Sequence, residues 1–192
     1  MSNCEIRATF DKDTITVYQA FDPTIAIPAV KHQKLMPPFS YDRMTWIKPS
    51  FLWLMYRSDW AQKAGMERIL QIRISRKYWD AALSEAVLTT PELNVYPDAK
   101  GWRKLLDAAK VRVQWDPERD LLNAKLPFRS IQVGITEKLA AEYAKKWIVT
   151  IEDITPLVKN IHLKVNQSNT KAALQLVPTE SIYPVSEAIR KR

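Results

Sequence analysis

The sequence predicts an α+β fold, in which a curved and mainly antiparallel sheet of about six strands is flanked by helices. Segments that alternate between apolar and polar residues recur along the chain, as half-buried strands require. Segments of helical periodicity lie among them, but strands and helices alternate only in part. The chain has 3 glycines and no G-x-G-x-x-G motif, which argues against Rossmann and P-loop folds.

The N-terminal part reads as a hairpin followed by a proline-rich stretch. The β-rich runs "CEIRATF" and "TITVYQAF" are separated by "DKD", which predicts a turn between two strands. In residues 22–38 four prolines limit any helix to a short piece. They are Pro23, Pro28, Pro37 and Pro38.

The segment "MTWIKPSFLWLMYRSDW", residues 44–60, predicts the best-defined helix of the chain. Pro49 suits a first turn and Ser50 suits a helix cap, so a helix is expected from there to about Trp60. Gly65 then marks a break.

The rest of the chain continues the mixed pattern. Further strands are predicted at "ERILQIRIS", "VRVQWD", "RSIQVGI" and "WIVTIEDI". Further helices are predicted at "RKYWDAALSEAVL", "GWRKLLDAAK", "TEKLAAEYAKK", "TPLVKNIHLKVN" and "NTKAALQLV". The stretch "PERDLLNAKLP" is predicted to be a surface loop, because it lacks either periodicity.

Composition predicts one globular domain over residues 1–192, in a chain that is 46% hydrophobic and 26% charged. The first twenty residues are charged and lack an apolar core, and no stretch approaches the roughly 20 apolar residues of a membrane span. We therefore expect a cytoplasmic protein without a membrane partner. Cys4 is the one cysteine, and with His32 and His162 it makes a poor metal set, so no metal is expected.

The net charge of +8 favours an acidic partner, such as a nucleotide or a nucleic acid. Lys48 lies just before the predicted helix, and Arg57 follows Ser50 by two helical turns on the same face. These groups predict a phosphate site at the positive end of a helix. The alternative is that Lys48 is solvated, Ser50 only caps the helix, and Arg57 either snorkels to solvent or pairs with Asp59 or Glu67.

The blocks "RMTWIKPSFLWLMYRSDW", "ERILQIRI", "VRVQWDPERD" and "RSIQVGI" together resemble the family catalogued as domain of unknown function 4291, from about Ile6 to Pro184. The signature is rich in cations and amides, which implies a binding site that includes Arg43, Thr45, Lys48, Ser50 and Arg57. Its hallmark positions here are Arg43, Thr45, Trp46, Lys48, Pro49, Ser50, Arg57 and Ser58, then Gln114, Trp115, Asp116, Pro117, Glu118 and Arg119, then Arg129, Ser130, Ile131 and Gln132.

The order of an early strand bearing "VYQA", a helical insert and a late polar strand is also loosely similar to ADP-ribosyltransferase-like enzymes. This resemblance implies an NAD cofactor in a cleft of a split sheet, with Tyr18 or Gln19 near the first strand. It places Gln132 where many members carry a catalytic glutamate. The departure matters, because an amide cannot act as a carboxylate base.

Three functions follow as expectations. The first is a nucleotide-using transferase, ADP-ribosyltransferase-like and acting on nucleic acid, in which Lys48 and Arg57 bind phosphates and Gln132 orients a ribose. The second is a noncatalytic nucleic-acid-binding module that uses tryptophans, and the third is a protein-interaction domain. Ser130 and Gln132 are expected to face the same cleft as Lys48, with the loop "QWDPERD" beside it. The tryptophans are Trp46, Trp53, Trp60 and Trp115.

Overall fold

The computed structural model of the chain describes residues 3–92, 95–186 and 189. Within these ranges the α-helices are α1 (Pro23–His32), α2 (Phe51–Ser58), α3 (Arg76–Ser84), α4 (Ala99–Ala108), α5 (Glu137–Glu142), α6 (Thr155–Asn166) and α7 (Thr170–Leu174). The strands are β1 (Asn3–Cys4), β2 (Arg7–Ala8), β3 (Thr14–Phe21), β4 (Thr45–Ile47), β5 (Arg68–Ser75), β6 (Val87–Leu88), β7 (Val111–Arg119), β8 (Lys125–Ile135), β9 (Ile148–Asp153) and β10 (Ser181–Ile182). A π-helical turn, Tyr143–Trp147, joins α5 to β9. The predicted α+β class is confirmed.

The strands are divided among sheets instead of forming one. One sheet has the order β1-β8-β7-β6 with β4 paired to β8, a second has the order β3-β5-β9, and β2 pairs with β10. Most pairs are antiparallel, as predicted, whereas β1/β8 and β6/β7 are parallel. The two larger sheets meet at one bridge, where the Tyr18 N–H donates to the Lys48 carbonyl (2.7 Å). The ladder stops there because Pro49 has no N–H and Ser50 already caps a helix.

The first turn matches the sequence prediction, whereas the proline-rich helix is longer than expected. Asp11 closes the "DKD" turn by accepting from the N–H groups of Asp13 (2.9 Å) and Thr14 (2.7 Å). Helix α1 then runs for 10 residues with Pro28 inside it. Pro23 lies in the first turn, where no N–H is needed, and α1 buries Ala26 and Ala29. This burial offsets the hydrogen bond that Pro28 cannot make.

Helix α2 begins where the sequence predicts. Ser50 is its N-cap and accepts from the Trp53 N–H (3.2 Å). The helix ends two residues earlier than expected, because Asp59 adopts a left-handed conformation (φ 50°). Gly65 occupies a further turn with φ 77°.

The predicted loop "PERDLLNAKLP" is wrong, because most of it belongs to the long β7–β8 hairpin. Strand β7 continues to Arg119 and β8 begins at Lys125. Asp120 closes the tight turn by accepting from the N–H groups of Leu122 (2.8 Å) and Ala124 (2.9 Å). Strand β7 tolerates Pro117 because β6 has already ended at Leu88, so Pro117 lies on an open edge where no ladder N–H is required.

The alternating faces of β3 serve two cores. Val17 packs into the main core between the sheets, with Ile72 and Val133. Tyr18 points the other way, into a second core with Phe51 and Met55 of α2. Among the described helices, none combines the length and the apolar character needed to cross a membrane.

Candidate functional site

A cleft of about 700 Å³ opens between the two larger sheets. Its walls come from the end of β3, from β4, from one side of α2, from the turn at Gly65 and from the β7–β8 hairpin. The volume lies within the usual range for small-molecule sites. Lys48, Arg57, Arg43, Thr45 and Gln132 all line it, so the structure brings these predicted residues together.

Lys48 is a buried cation in this cleft, with 8% of its surface exposed. Its Nζ lies 5.0 Å from the centroid of the Trp53 ring. Burial and the nearby Arg57 together lower the pKa of Lys48 to about 8, although Asp116 opposes both effects. No described carboxylate makes an ion pair with Lys48. The protein therefore keeps a desolvated ammonium group without neutralising it.

Two exposed guanidinium groups accompany Lys48. Arg43 and Arg57 both line the cleft. The ion pair predicted as an alternative, between Arg57 and Asp59 or Glu67, does not form. Neither arginine has a hydrogen-bond or ion-pair partner among residues 3–92, 95–186 and 189. The cleft thus has three cations that are available to an anionic ligand.

Opposite Lys48, two amides hold a carboxylate. The Gln132 Nε2 donates to Asp116 Oδ2 (2.6 Å), and the Gln114 Nε2 donates to Asp116 Oδ1 (2.9 Å). The hairpin register explains this cluster, because Gln114 lies opposite Gln132 and Asp116 opposite Ser130 on one face of the β7–β8 ladder. Each carboxylate oxygen retains one further acceptor site after these bonds.

Gln19 faces the cleft but is held by its neighbours. Its Nε2 donates to Thr45 Oγ1 (2.8 Å) and to the Trp46 carbonyl (3.1 Å), and its Oε1 accepts from the Tyr143 hydroxyl (2.7 Å). Tyr143 is fully buried, and burial raises the pKa of its hydroxyl. Gln19 therefore joins β3, β4 and the π-helical turn, and its amide is occupied.

The structure places Tyr18 outside the cleft. It is fully buried on the opposite face of β3, with its ring 5.5 Å from that of Phe51. Burial raises the pKa of its hydroxyl, and the nearby Glu180 has the same effect. Successive side chains of a strand point to opposite faces, so Gln19 lines the cleft while Tyr18 packs into the second core.

Ser50 and the N-terminus of α2 also face away from the cleft, so the predicted role of this helix end in ligand binding needs correction. Ser50 lines a separate cavity of about 200 Å³ with Glu118 and Glu180. The Phe51 N–H donates to Glu180 Oε1 (2.7 Å). The helix end is therefore satisfied by the protein's own carboxyl group and not by a ligand.

Burial governs the protonation of that carboxyl pair. Burial and the nearby Glu118 raise the pKa of Glu180 to about 8, although the hydrogen bond from the Phe51 N–H opposes the rise. Burial also raises the pKa of Glu118, which is 4% exposed and accepts from the Arg119 N–H (2.8 Å). The charge of Glu118 thus disfavours the charged form of Glu180.

The tryptophans do not form one surface. Trp60 is 3% exposed and its ring stacks on His162, 5.3 Å away. Trp115 is half-buried against the main core. Trp46 and Trp53 line the cleft, but Trp53 is 8% exposed. A nucleic-acid platform built from all four rings is therefore wrong.

The segment "QWDPERD" lies beside the cleft as predicted, but it is a strand and not a loop. Gln114 and Asp116 reach the cleft. Arg119 turns to the other side, where its guanidinium lies 3.8 Å from the centroid of the Tyr56 ring and donates to the Asn123 carbonyl (3.0 Å). Ser130 shares the face of Gln132 but is 3% exposed and does not line the cleft.

Sequence reasoning missed Gln114 and Asp116 as site residues. The signal was the alternation in "VRVQWD", where polar residues fill every second position, and both residues were also among the hallmark positions. Asp116 appeared to belong to a loop, so its fixed position beside Gln132 was not expected. No group of three or more histidine, cysteine, aspartate or glutamate side chains able to hold a metal ion occurs in the described ranges.

One close contact also shapes the cleft floor. A Cβ atom on Gly134 would lie 2.9 Å from Met44 Sδ and 3.0 Å from the Trp46 ring. Glycine is required here because the ring of Trp46 packs directly over the β8 backbone.

A comparison with protein families matches residues 5–183 to the family described as Domain of unknown function (DUF4291). The chain belongs to this family. The match covers the whole of the cleft, including β4, α2 and the β7–β8 hairpin. No curated protein matches the sequence.

Proposed function

We propose that this DUF4291 protein is a nucleotide-using transferase that binds the phosphates of its donor in the cleft between the sheets. The observation that carries the proposal is the set of three cations, Lys48, Arg57 and Arg43, that line the cleft without an ion pair in the described part of the chain. A buried ammonium group without an ion-pair contact is costly. A phosphate ligand would supply that contact.

The proposed binding mode divides the cleft into two parts. Lys48 and the two arginines bind the phosphates, because charge-assisted hydrogen bonds to phosphate are strong and arginine binds it in a bidentate manner. Gln132 and Asp116 orient a ribose, since hydroxyl groups can donate to the free acceptor sites of the carboxylate. NAD is the first donor to test, with its pyrophosphate expected at the cations.

Asp116 is the proposed catalytic residue. It is the carboxylate that faces the cleft on the late hairpin, and two amides fix its orientation. Gln132 then acts as a positioning residue and not as a base. In the ADP-ribosyltransferase-like interpretation, Asp116 supplies the carboxylate that Gln132 lacks, from the neighbouring strand.

Isothermal titration of NAD, ATP and pyrophosphate tests donor binding. Lys48→Ala and Arg57→Ala should each weaken binding by about 1.5–3 kcal/mol, the range for charge-assisted hydrogen bonds. The matched control is Lys63→Ala, an exposed cation that does not line the cleft, and it should bind normally. Affinity of the wild type should also fall as the pH rises through about 8, where Lys48 loses its charge.

Measurements of turnover distinguish a loss of donor binding from a loss of catalysis. If NAD is the donor, Asp116→Asn should abolish release of nicotinamide while it retains donor affinity within a few fold. Equal affinity of wild type, Lys48→Ala and Arg57→Ala for all three ligands would contradict the proposal. Binding of oligonucleotides with steep salt dependence and no conversion of any nucleotide would favour a noncatalytic nucleic-acid-binding module. An absence of all binding would favour a protein-interaction domain.

A further inference from the structure

We propose that the cavity at the open edge of β7 is the acceptor subsite of the transferase, and that it takes an extended polypeptide segment. This inference rests on the proposed function. The cavity has a volume of about 480 Å³ and shares Gln114 and Asp116 with the cleft. Asp116 therefore lies at the junction of two cavities, where a donor in one and an acceptor in the other could meet.

The backbone at this edge is suited to an added strand. Strand β6 pairs with β7 only at Arg112 and Val113, and the last contact is the Thr89 N–H to the Val113 carbonyl (2.8 Å). Because backbone groups alternate in direction along a strand, the N–H and C=O of Trp115 point to the same outer edge. No further strand covers that edge in the described residues. A short extended peptide can bind there by strand addition.

The side chains of the cavity carry both charges. Arg129 is half-buried, and its guanidinium has no hydrogen-bond or ion-pair partner among the described side chains. Glu92 is an exposed carboxylate in the same cavity, and Thr89 and Thr90 add hydroxyl groups. This mixture complements a polypeptide, which presents acidic, basic and amide groups, better than a uniformly anionic nucleic acid.

Pro117 limits the length of the bound segment. It also lies on β7 but has no N–H to donate, so the strand pairing cannot extend past it in the regular pattern. The peptide is thus held over a few residues next to Asp116. A serine or threonine hydroxyl in that segment would lie within reach of the carboxylate.

The transfer step balances without a further reactant. The hydroxyl oxygen of the acceptor uses a lone pair to form the new bond to the electrophilic atom of the donor nucleotide. The bond from that atom to the leaving group breaks, and the electron pair goes with the leaving group. The hydroxyl proton passes to the Asp116 carboxylate and then to solvent.

The test uses the full chain and two blocked pentapeptides, Lys-Val-Ser-Val-Asp and Asp-Val-Ser-Val-Lys, which present the same groups in opposite chain directions. Without any nucleotide, hydrogen exchange at the Trp115 amide should slow by about tenfold or more with one of them. The same peptide N-methylated along its backbone should give no protection. Arg129→Ala should weaken binding of the peptide by about tenfold, whereas Lys125→Ala, an exposed cation of β8 outside the cavity, should not.

Transfer from labelled NAD should then appear on the serine of that peptide and be lost when this serine is alanine. Protection of the Trp115 amide by oligo(dT) but by neither peptide would overturn the proposal in favour of a nucleic-acid acceptor. No protection by either peptide, with donor binding intact, would overturn the acceptor subsite and leave the proposed function standing. Protection by a peptide without any donor binding would overturn the transferase and the acceptor role, and leave only a peptide-binding edge.

Discussion

Buried ionisable groups lie in two different environments around helix α2. On one side lies the cleft, where Lys48 and Arg57 have no carboxylate in ion-pair contact within the described ranges. At the N-terminal end lies the small cavity of Glu118 and Glu180, where a carboxyl group accepts from the Phe51 N–H. Burial shifts the pKa of Lys48 downward and those of both glutamates upward.

This difference distinguishes a carboxyl group that serves the fold, Glu180, from a cation that is available to a ligand, Lys48. Lys48 and Glu180 would gain by pairing, yet the fold keeps them on different sides of one short helix. Glu180, whose pKa rises to about 8, can lose its charge by taking up a proton at neutral pH, and it accepts from the Phe51 N–H, so its cavity is part of the fold. Lys48 remains charged below about pH 8 and faces open space. Asp116 compensates this charge only in part, and an anionic ligand in the cleft could complete the compensation.

The largest effect on stability should come from a substitution that removes the packing of helix α2 against its core. Phe51 is fully buried at the start of α2, so Phe51→Ala should lower the free energy of unfolding by about 3–5 kcal/mol through a cavity. The loss in free energy of unfolding is measured by urea unfolding of the wild type and the variant. Leu122→Ala, at a side chain that is 62% exposed in the hairpin turn, is the control and should change it by less than about 0.5 kcal/mol. A small loss for Phe51→Ala would mean that α2 does not depend on the core that Phe51 forms with Tyr18 and Met55.

Lys48→Met should stabilise the protein. The pKa of Lys48 falls from an ordinary 10.5 to about 8 on folding, so the unfolded state binds the proton more tightly and the cost is fully present below pH 8. At pH 7 the variant should gain up to about 3 kcal/mol in free energy of unfolding. The wild type should gain stability between pH 8 and 10.5, whereas the variant should not.

The check is urea unfolding of wild type, Lys48→Met and the exposed control Lys63→Met across this pH range. If Lys48→Met were less stable than the wild type at pH 7, Lys48 would be a structural group and the comparison between the two sides of α2 would fail.

Glu180→Gln should give the smallest change in stability. The pH dependence that Glu180 gives the wild type should be opposite to that from Lys48. The pKa of Glu180 rises from an ordinary 4.5 to about 8 on folding, so the folded state binds the proton more tightly. Wild-type stability should therefore fall as the pH rises from about 4.5 to 8. Glutamine keeps an acceptor for the Phe51 N–H without titrating, and should be more stable than the wild type by about 1–2 kcal/mol at pH 8, after allowance for residual exposure.

Thermal unfolding at several pH values, with Glu152→Gln as an exposed control, follows this dependence. An unchanged slope in Glu180→Gln would show that Glu180 does not titrate in this window, and would assign the dependence to Glu118 or another group.

Local signals in the sequence were enough for most elements. The Pro49 and Ser50 pair predicted the start of α2, and the alternation of "ERILQIRIS" predicted β5 with Leu70, Ile72 and Ile74 buried on one face. These features depend on neighbouring residues, because caps and strand periodicity act over a few positions. Local signals gave the wrong prediction for the segment that begins at Pro117, which was expected to be a loop. The open edge that tolerates a proline there depends on where β6 ends.

The sequence by itself determined that the chain is α+β, that α2 has a cap at Ser50, and that Lys48 and Arg57 stand near an apolar helix. Only the tertiary structure decided which of these groups share a site. It turned Ser50 towards Glu180 and Tyr18 into a core, and it brought Asp116 and Gln132 from two strands into contact at 2.6 Å. The reason is that strand register and helix rotation are set by packing between distant segments, and those contacts leave no mark in local sequence.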